Sequence, residues 1–150
     1  MSTVRRIIEA KGHKVYSTVA DASVFDAVQE MCGRRVGALL VLEDDMPVGI
    51  LSERDVMTRV ILVCRDPGAI RVEEIMTPHL VCIDIDRPIG EAMGVMTECH
   101  CRHLPVVDDG EIVGIVSIGD LVSWLSQDQE YEIRILQEYI GGSHPMSVPG

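Results

Sequence analysis

The sequence has no long apolar run. An apolar stretch such as residues 36–42 is interrupted by Gly37 and is far shorter than the roughly 20 residues that cross a bilayer. Residues 1–11 carry two arginines and Glu9 around one short apolar pair, a pattern that differs from that of a secretory signal. We therefore expect a cytoplasmic protein with no membrane partner.

Positive charge is also scarce. The chain has 13 Lys and Arg residues and 24 Asp and Glu residues, so the formal net charge is −11 at pH 7. This charge would repel a nucleic-acid backbone, because such binding normally needs several cations at the phosphates. We expect no nucleic-acid partner, and a site for any phosphorylated ligand must be local and small.

A disulfide framework is missing as well. The five cysteines are odd in number and have no framework spacing, which favours reduced thiols in a reducing compartment. With 150 residues, of which 47% are hydrophobic and 25% charged, the chain suits one compact core or two small halves that share one.

What the sequence does contain is an internal repeat. Residues 49–55 (GILSERD) reappear as residues 114–120 (GIVSIGD), at an offset of 65. The same offset, without gaps, maps Asp21 onto Asp86 and Val41 onto Val106. Such self-similarity indicates two copies of one structural unit.

Each copy is predicted to form β-α-β-β-α. Short β-rich runs at 14–19 and 80–85 precede helices with one apolar stripe, for which Asp21 and Ser23, or Asp86, supply turn and N-cap chemistry. Apolar runs interrupted by acidic turn signals then predict a β-hairpin in each copy. A second helix follows Ser52 or Ser117.

The chain is thus divided into five segments. We predict an N-terminal helix at 1–10, the first repeat at 11–64, a linker at 65–75, the second repeat at 76–126, and a C-terminal helix with a loose tail at 127–150. The tail helix should place Tyr131, Ile135, Leu136 and Tyr139 on one face.

Both copies end their last strand in Ser-x-x-Asp. At the start of a helix, backbone N–H groups favour an anion, a serine hydroxyl can donate to an oxygen, and a carboxylate can accept from two adjacent hydroxyls. This arrangement suits a ribose phosphate. The alternative is that Ser52 and Ser117 are ordinary helix caps, with Asp55 and Asp120 favouring the helix dipole.

The sequence resembles paired cystathionine β-synthase (CBS) domains, the Bateman module, over residues 11–125. The resemblance rests on Gly49-x-x-Ser52-x-x-Asp55 and its copy at 114–120, on residues 102–108 (RHLPVVD), and on residues 75–78 (IMTP). Residues 137–142 (QEYIGG) resemble the end of stand-alone CBS-pair proteins.

The resemblance implies an α+β fold in which two pseudo-twofold repeats pack through their sheets and form two clefts for AMP, ADP, ATP or a related adenosyl ligand, with NAD as a further candidate. In the family, the motif Asp holds the ribose and the adenine lies against strand edges of the opposite repeat. The first cleft would use Ser52, Arg54, Asp55, Thr77, Val81, Cys101, Arg102 and His103. The second would use Tyr16, Val36, Gly37, Ala38, Ser117 and Asp120.

The two clefts are expected to differ in charge. Arg54 and Arg102 both occupy family positions that can face phosphate. In the second cleft, Gly119 and Gly37 stand at the corresponding positions, so we expect this cleft to lack those countercharges and to bind a less charged ligand or none. The alternative for Arg54 is a solvated helix residue.

The cluster at residues 99–103 (CHCRH) suggests other chemistry. On a strand, Cys99 and Cys101 would project away from His100, and no second pair of ligands completes a zinc site, so we expect no metal requirement. A thiol-redox role remains an alternative. A Cys-His nucleophile has no recognisable orienting partner or oxyanion hole, and we therefore predict a protein that is not an enzyme.

The expected assembly is a homodimer that covers the apolar stripes left on the repeat helices. Nucleotide would then shift the two repeats relative to one another and change a surface that a partner protein, not identified by the sequence, recognises. A ligand-independent interaction module is the competing interpretation.

Overall fold

Two three-stranded sheets, each covered by helices, form the protein. The computed structural model describes residues 2–141, and within residues 131–141 it describes the side chains of 133, 134 and 136–138 only. The elements outside the two copies are α1 (Val4–Lys11) and α4 (Val72–Ile75). The first repeat comprises β1 (Ser17–Val19), α2 (Val24–Arg34), β2 (Ala38–Glu43), β3 (Met46–Ser52) and α3 (Glu53–Val56). The second comprises β4 (Ile83–Asp84), α5 (Ile89–Cys99), β5 (His103–Asp108), β6 (Glu111–Ser117) and α6 (Ile118–Gly141).

The two sheets have the same topology. In each, the first strand is parallel to the second, and the second and third strands form an antiparallel hairpin. The hairpins even share a register shift, between Val41 and Leu42 and again between Val106 and Val107. The predicted α+β class and the β-α-β-β-α order are thereby confirmed, although β1 and β4 are shorter than the runs predicted for them.

The hairpin turns explain why the acidic pairs recur. Asp44 and Asp45 have φ angles of 50° and 62°, and Asp109 and Gly110 have 51° and 80°. Two successive residues with positive φ match the right-handed twist of the flanking strands, and Asp and Gly tolerate this conformation better than most residues do.

The helix starts differ between the repeats. Ser23 caps α2, because its Oγ accepts from the Asp26 backbone N–H at 3.0 Å. For Asp86, the predicted turn is present, but the predicted N-cap role is wrong, since Pro88 stands at the N-cap of α5 without a side-chain cap. Asp86 instead receives two hydrogen bonds from the Arg5 guanidinium, which α1 places beside it.

The core of each repeat includes a helix that lies outside the predicted β-α-β-β-α pattern. α1 contributes Val4, Ile7 and Ile8 to the core of the second repeat. In the first repeat, Ile70, Val72 and Ile75 take that place, so the predicted linker contains a short helix, α4, that packs into a core.

The central strands are buried on both faces. Leu39 and Val41 of β2 point into the helical core, whereas the alternating residues Ala38 and Leu40 are buried outside it. Pro105, 65 positions after Leu40, is likewise buried on the opposite face of β5 from Leu104. This burial agrees with repeats that pack through their sheets.

The last helix is longer than predicted. α6 runs without a break over 24 residues, and therefore unites the second helix of the repeat with the predicted tail helix. Leu136 is exposed, while the side chains of Tyr131, Ile135 and Tyr139, predicted to share its face, lie outside the described part, as do residues 142–150. In the first repeat, α3 instead continues into a π-helical turn (Met57–Ile61). No helix within residues 2–141 is long and apolar enough to span a bilayer.

Candidate functional site

Each Ser-x-x-Asp motif lies where a strand meets a helix. Asp55 Oδ2 accepts from the Ser52 backbone N–H at 2.9 Å, and the Asp55 N–H donates to Ser52 Oγ at 3.3 Å. Ser117 and Asp120 make the same pair of bonds, at 2.8 and 3.1 Å. Both motifs are reciprocal helix caps, which confirms the capping interpretation as a local role. Each carboxylate retains acceptor capacity for a ligand.

The first motif opens into a cavity of about 410 Å³ between the repeats, which we call the first cleft. Its size lies within the usual range for small-molecule sites, about 300–1,000 Å³. All eight residues predicted for this site line it. The lining residues are Ile50, Ser52, Glu53, Arg54, Asp55, Met57, Thr77, His79, Val81, Cys99, His100, Cys101, Arg102, His103 and Pro105.

Asp55 is the buried polar group of this cleft, with 6% of its surface exposed. Besides the cap, it accepts from Ser52 Oγ at 3.1 Å and from Thr77 Oγ1 at 3.2 Å. Thr77 is itself fixed, because its backbone N–H donates to Ile50 O at 2.9 Å and its carbonyl accepts from the Ile50 N–H. Within the described residues, no cation forms an ion pair with Asp55. All its donors are therefore neutral groups.

Two guanidiniums also line the first cleft. Arg54 follows the cap on α3, and Arg102 immediately precedes β5. Both residues are exposed, so they can change conformation without disturbing the core. The cleft thus combines a buried carboxylate with two exposed cationic side chains from opposite repeats.

A second cavity of about 450 Å³, the second cleft, surrounds the other motif. The six residues predicted for it all line the cavity. The lining residues are Lys11, Gly12, Lys14, Tyr16, Arg35, Val36, Gly37, Ala38, Glu53, His103, Ile115, Ser117 and Asp120.

The second cleft lacks the two arginines of the first cleft, as predicted, but it contains other cations that were not predicted. Lys11, Lys14 and Arg35 line it, from the end of α1, the segment after it, and the end of α2. These three cations come from elsewhere in the repeat, so they do not align with Arg54 or Arg102 at the offset of 65 residues. Gly12 turns the chain after α1 with a φ of 92°, which directs the chain from Lys11 toward Lys14 and β1.

Lys11 contacts the second motif directly. Its Nζ donates to Asp120 Oδ2 at 2.7 Å and to Ile115 O at 2.8 Å. Burial alone would raise the pKa of Asp120, but hydrogen bonds from Lys11 and Ser117 outweigh it and hold that pKa below its usual value. Asp120 is therefore ionised and paired in the free protein.

Glu53 and His103 form the wall between the clefts, because both residues line both cavities. They meet at Gly37, where an added Cβ would contact Glu53 Oε1 and lie 3.0 Å from His103 Nε2. Burial lowers the pKa of His103, and nearby Lys11 adds to that effect while Glu53 opposes it. His103 was predicted for the first cleft only, and Glu53 was not predicted at all.

Residues 99–102 do not lie on a strand, although the prediction against a zinc site assumed one there. Cys99 ends α5, and His100 has a left-handed conformation with φ of 53° at its C-cap. Among the described residues, no group of three or more His, Cys, Asp or Glu side chains is arranged to hold a metal ion. Burial raises the pKa of Cys101, with Cys99 adding to the effect, so the reactive thiolate is disfavoured at neutral pH.

Comparison with known proteins gives a consistent picture. The family model for the CBS domain matches residues 4–62 and again residues 72–127. The mitochondrial CBS domain-containing protein CBSX3 of Arabidopsis thaliana is 32% identical over 152 residues, which cover 95% of this chain and 74% of that protein. Several other curated relatives are longer, and the chain spans only 18% to 55% of their length.

Solved structures share the architecture. A protein with CBS domains from Burkholderia ambifaria, to which a role in signal transduction has been assigned, is 35% identical. Its TM-score is 0.78, and the match covers 98% of this chain and all of that one. The CBS domain pair of protein MJ0100, solved with 5′-methylthioadenosine and S-adenosyl-L-methionine, has a TM-score of 0.71 at 21% identity, covering 83% and 99%. The second likeness is one of fold.

Proposed function

This chain belongs to the CBS domain family, and from that premise we propose that it is a regulatory module that binds an adenine nucleotide between its two repeats. The observation that carries the proposal is the placement of Asp55. Its carboxylate is almost fully buried, faces a cavity of about 410 Å³, and receives only neutral hydrogen-bond donors. A carboxylate in such a place is well suited to a ligand that brings further donors.

The first cleft has a part for each portion of a nucleotide. The Asp55 carboxylate can accept from two adjacent ribose hydroxyls. The exposed guanidiniums of Arg54 and Arg102 can reach a phosphate from opposite repeats. Ile50, Val81 and Pro105 supply the apolar surface for an adenine ring. AMP, ADP and ATP are the preferred candidates, followed by NAD, and no metal is required.

The ligand complex of the MJ0100 pair supports an adenosyl compound as the ligand class, because both of its ligands contain adenosine. That protein shares the fold of this chain. The residues on which the proposal depends are those of the present clefts.

Regulation would follow from the position of the clefts between the repeats. A ligand that contacts both repeats shifts the equilibrium between two arrangements of the repeats if it binds one arrangement more tightly than the other. A partner protein that recognises one arrangement would then respond to the nucleotide. We assign no catalytic role to any residue, and the cytoplasmic location expected from the sequence stays a prediction.

The proposed module is a homodimer. The π-helical turn and the residues after it expose a run of apolar side chains: Met57, Ile61, Leu62 and Val63 are 56% to 75% exposed. An exposed apolar patch of this kind marks an interaction surface. Light scattering should give twice the chain mass, and Leu62→Glu should shift the protein toward the monomer. A monomeric wild-type protein would contradict the homodimer and leave nucleotide binding untouched.

Nucleotide binding is tested by thermal unfolding and calorimetry with AMP, ADP, ATP and NAD. A ligand at about 100 times its Kd stabilises the folded state by about 2.7 kcal/mol, so at least one of them should raise the Tm. Asp55→Asn should abolish most of that rise. Asp120→Asn should reduce it less, because the first cleft is expected to bind first.

Asp26→Asn is the matched control, since it removes an exposed carboxylate that lines neither cleft. Its ligand response should equal that of the wild type. If none of the four nucleotides stabilises the wild type at millimolar concentration, the ligand-independent interaction module, favoured by the exposed patch at 57–63, replaces this proposal.

A further inference from the structure

The two motif aspartates have different partners. In the first repeat, the Thr77 backbone N–H donates to Ile50 O and its hydroxyl donates to Asp55. In the second repeat, both acceptors have counterparts 65 residues later, Ile115 O and Asp120. There a single group, the Lys11 ammonium, donates to both, at 2.8 and 2.7 Å. A cation thus replaces a neutral residue at the same place.

The replacement matters because the Lys11 ammonium competes with a ligand. Asp120 Oδ2 already accepts from Lys11 and from the Ser117 N–H. A ribose that uses this carboxylate must compete for it with the ammonium, whereas in the first cleft it competes only with hydroxyl groups and a backbone N–H. Breaking a charge-assisted bond costs more than breaking a neutral one of the same geometry.

The displaced ammonium gains a new anionic partner only if the ligand carries a negative charge. The Lys11 side chain is 41% exposed on a flexible stem, and Lys14 and Arg35 line the same cavity. A ligand phosphate would therefore give Lys11 a new anionic partner beside two further cations. Adenosine offers no such partner, so its binding would leave the ammonium without a counterion in the cleft.

We propose that Lys11 is a specificity-determining residue that makes binding at the second cleft depend on ligand phosphate, so that this cleft selects ADP or ATP over adenosine. This inference rests on the proposed nucleotide-binding function and assigns a ligand class to one of its two sites. The second cleft, expected from sequence to hold a less charged ligand or none, becomes the more phosphate-dependent of the two.

The test follows each cleft separately by amide chemical shifts in NMR titrations with ATP and with adenosine. The amides of Arg54 and Arg102 report on the first cleft, and those of Val36 and Ser117 report on the second. In the wild type, the ratio of ATP affinity to adenosine affinity should be at least about fivefold larger at the second cleft, a difference of about 1 kcal/mol. This measurement needs no variant.

Lys11→Met then separates the two roles of the ammonium. At the second cleft it should tighten adenosine binding about fivefold, because the competing cation is gone. ATP gains in the same way but loses a phosphate partner, so its affinity should not rise. Lys14→Met is the control, since Lys14 makes no bond to Asp120: it should weaken ATP and leave adenosine unchanged. Lys11→Arg should keep the wild-type preference.

Each outcome is decisive. If Lys11→Met changes the affinities for ATP and adenosine in the same direction, or the wild-type ratios are equal, Lys11 is not the specificity determinant. If neither ligand shifts amides in either cleft, it is the proposed nucleotide-binding function that fails. Shifts at the first cleft alone, with no ATP binding at the second, overturn the Lys11 proposal and leave the proposed function standing.

Discussion

The Arg5 guanidinium holds the Asp86 carboxylate through two hydrogen bonds, Nε to Oδ1 at 2.8 Å and Nη2 to Oδ2 at 3.1 Å. These residues are 81 positions apart, and the contact ties α1 to the turn before α5. It lowers the pKa of Asp86 and raises that of Arg5, mainly through the hydrogen bonds. The start of the described chain is therefore part of the second repeat's structure.

Ile8→Ala tests whether α1 stabilises the second repeat. Ile8 is fully buried in the core of the second repeat, so its truncation should reduce the free energy of unfolding by about 2–5 kcal/mol. Urea unfolding measures the loss. Arg6→Ala, at an exposed position of the same helix, should change stability by less than about 0.5 kcal/mol. Equal effects of the two variants would show that α1 packs loosely.

Gly49→Ala should damage both the fold and the first cleft. An added Cβ would lie 2.7 Å from the Thr77 carbonyl oxygen and 2.8 Å from Met76 Sδ, and backbone cannot yield as a side chain can. We expect a loss of about 1–3 kcal/mol in urea unfolding, together with weaker nucleotide binding because Thr77 holds Asp55.

Gly114→Ala is the counterpart in the second repeat. There the added Cβ would approach the Ile8 side chain alone, with Cδ1 at 2.7 Å. A side-chain methyl can rotate away, so the stability loss should be smaller than for Gly49→Ala. A larger loss at Gly114 would mean that Ile8 is held more rigidly than the Thr77 backbone.

Gly37→Ala should alter both clefts at once. The added Cβ would displace the ends of the Glu53 and His103 side chains, which line both cavities. Nucleotide affinity, measured by calorimetry, should therefore change at both sites while the Tm of the free protein falls little. Gly94→Ala is the control: nothing lies within 4 Å of its added Cβ inside α5, and it should stabilise the protein by about 1 kcal/mol.

His103 predicts a pH dependence of stability. Its pKa is lowered in the folded protein, chiefly by burial, and the unfolded chain has the ordinary value of about 6.5. The unfolded state thus takes up the proton first as the pH falls. The His103 contribution to stability is present above about pH 6.5 and is lost as the pH falls through the folded-state pKa.

Urea unfolding of the wild type and of His103→Gln between about pH 8 and pH 5 isolates this contribution, because titratable groups remote from residue 103 titrate alike in both proteins. Lys11 and Arg102 also lower the pKa of His103, and Glu53 and Asp120 raise it. The wild type should lose more stability than the variant across this range. Parallel curves would mean that His103 titrates normally.

Features set by local chemistry were predicted well from the sequence. The offset of 65 located both hairpins, whose Asp44-Asp45 and Asp109-Gly110 turns have the positive φ angles that these residues tolerate. It also located both Ser-x-x-Asp caps, because the side chains involved are three residues apart. Family resemblance then grouped the predicted site residues, which line the two cavities.

Features set by long-range packing were missed. Nothing near Val4 or Ile8 in sequence indicates that α1 packs against β6, more than 100 residues away. Lys11 was overlooked for the same reason, since its bond to Asp120 spans 109 residues. The join of the two predicted C-terminal helices was missed because Ser126 and Gln127 were taken as a boundary although neither breaks a helix.

The unbroken course of α6 sets the scale of any motion that begins at the second cleft. Asp120 lies in its first turn, and its 24 residues extend about 36 Å at 1.5 Å per residue. A tilt of about 10° at that end moves the opposite end by about 6 Å. A small rearrangement at the Asp120 carboxylate would thus become a displacement of several ångströms at the opposite end of α6.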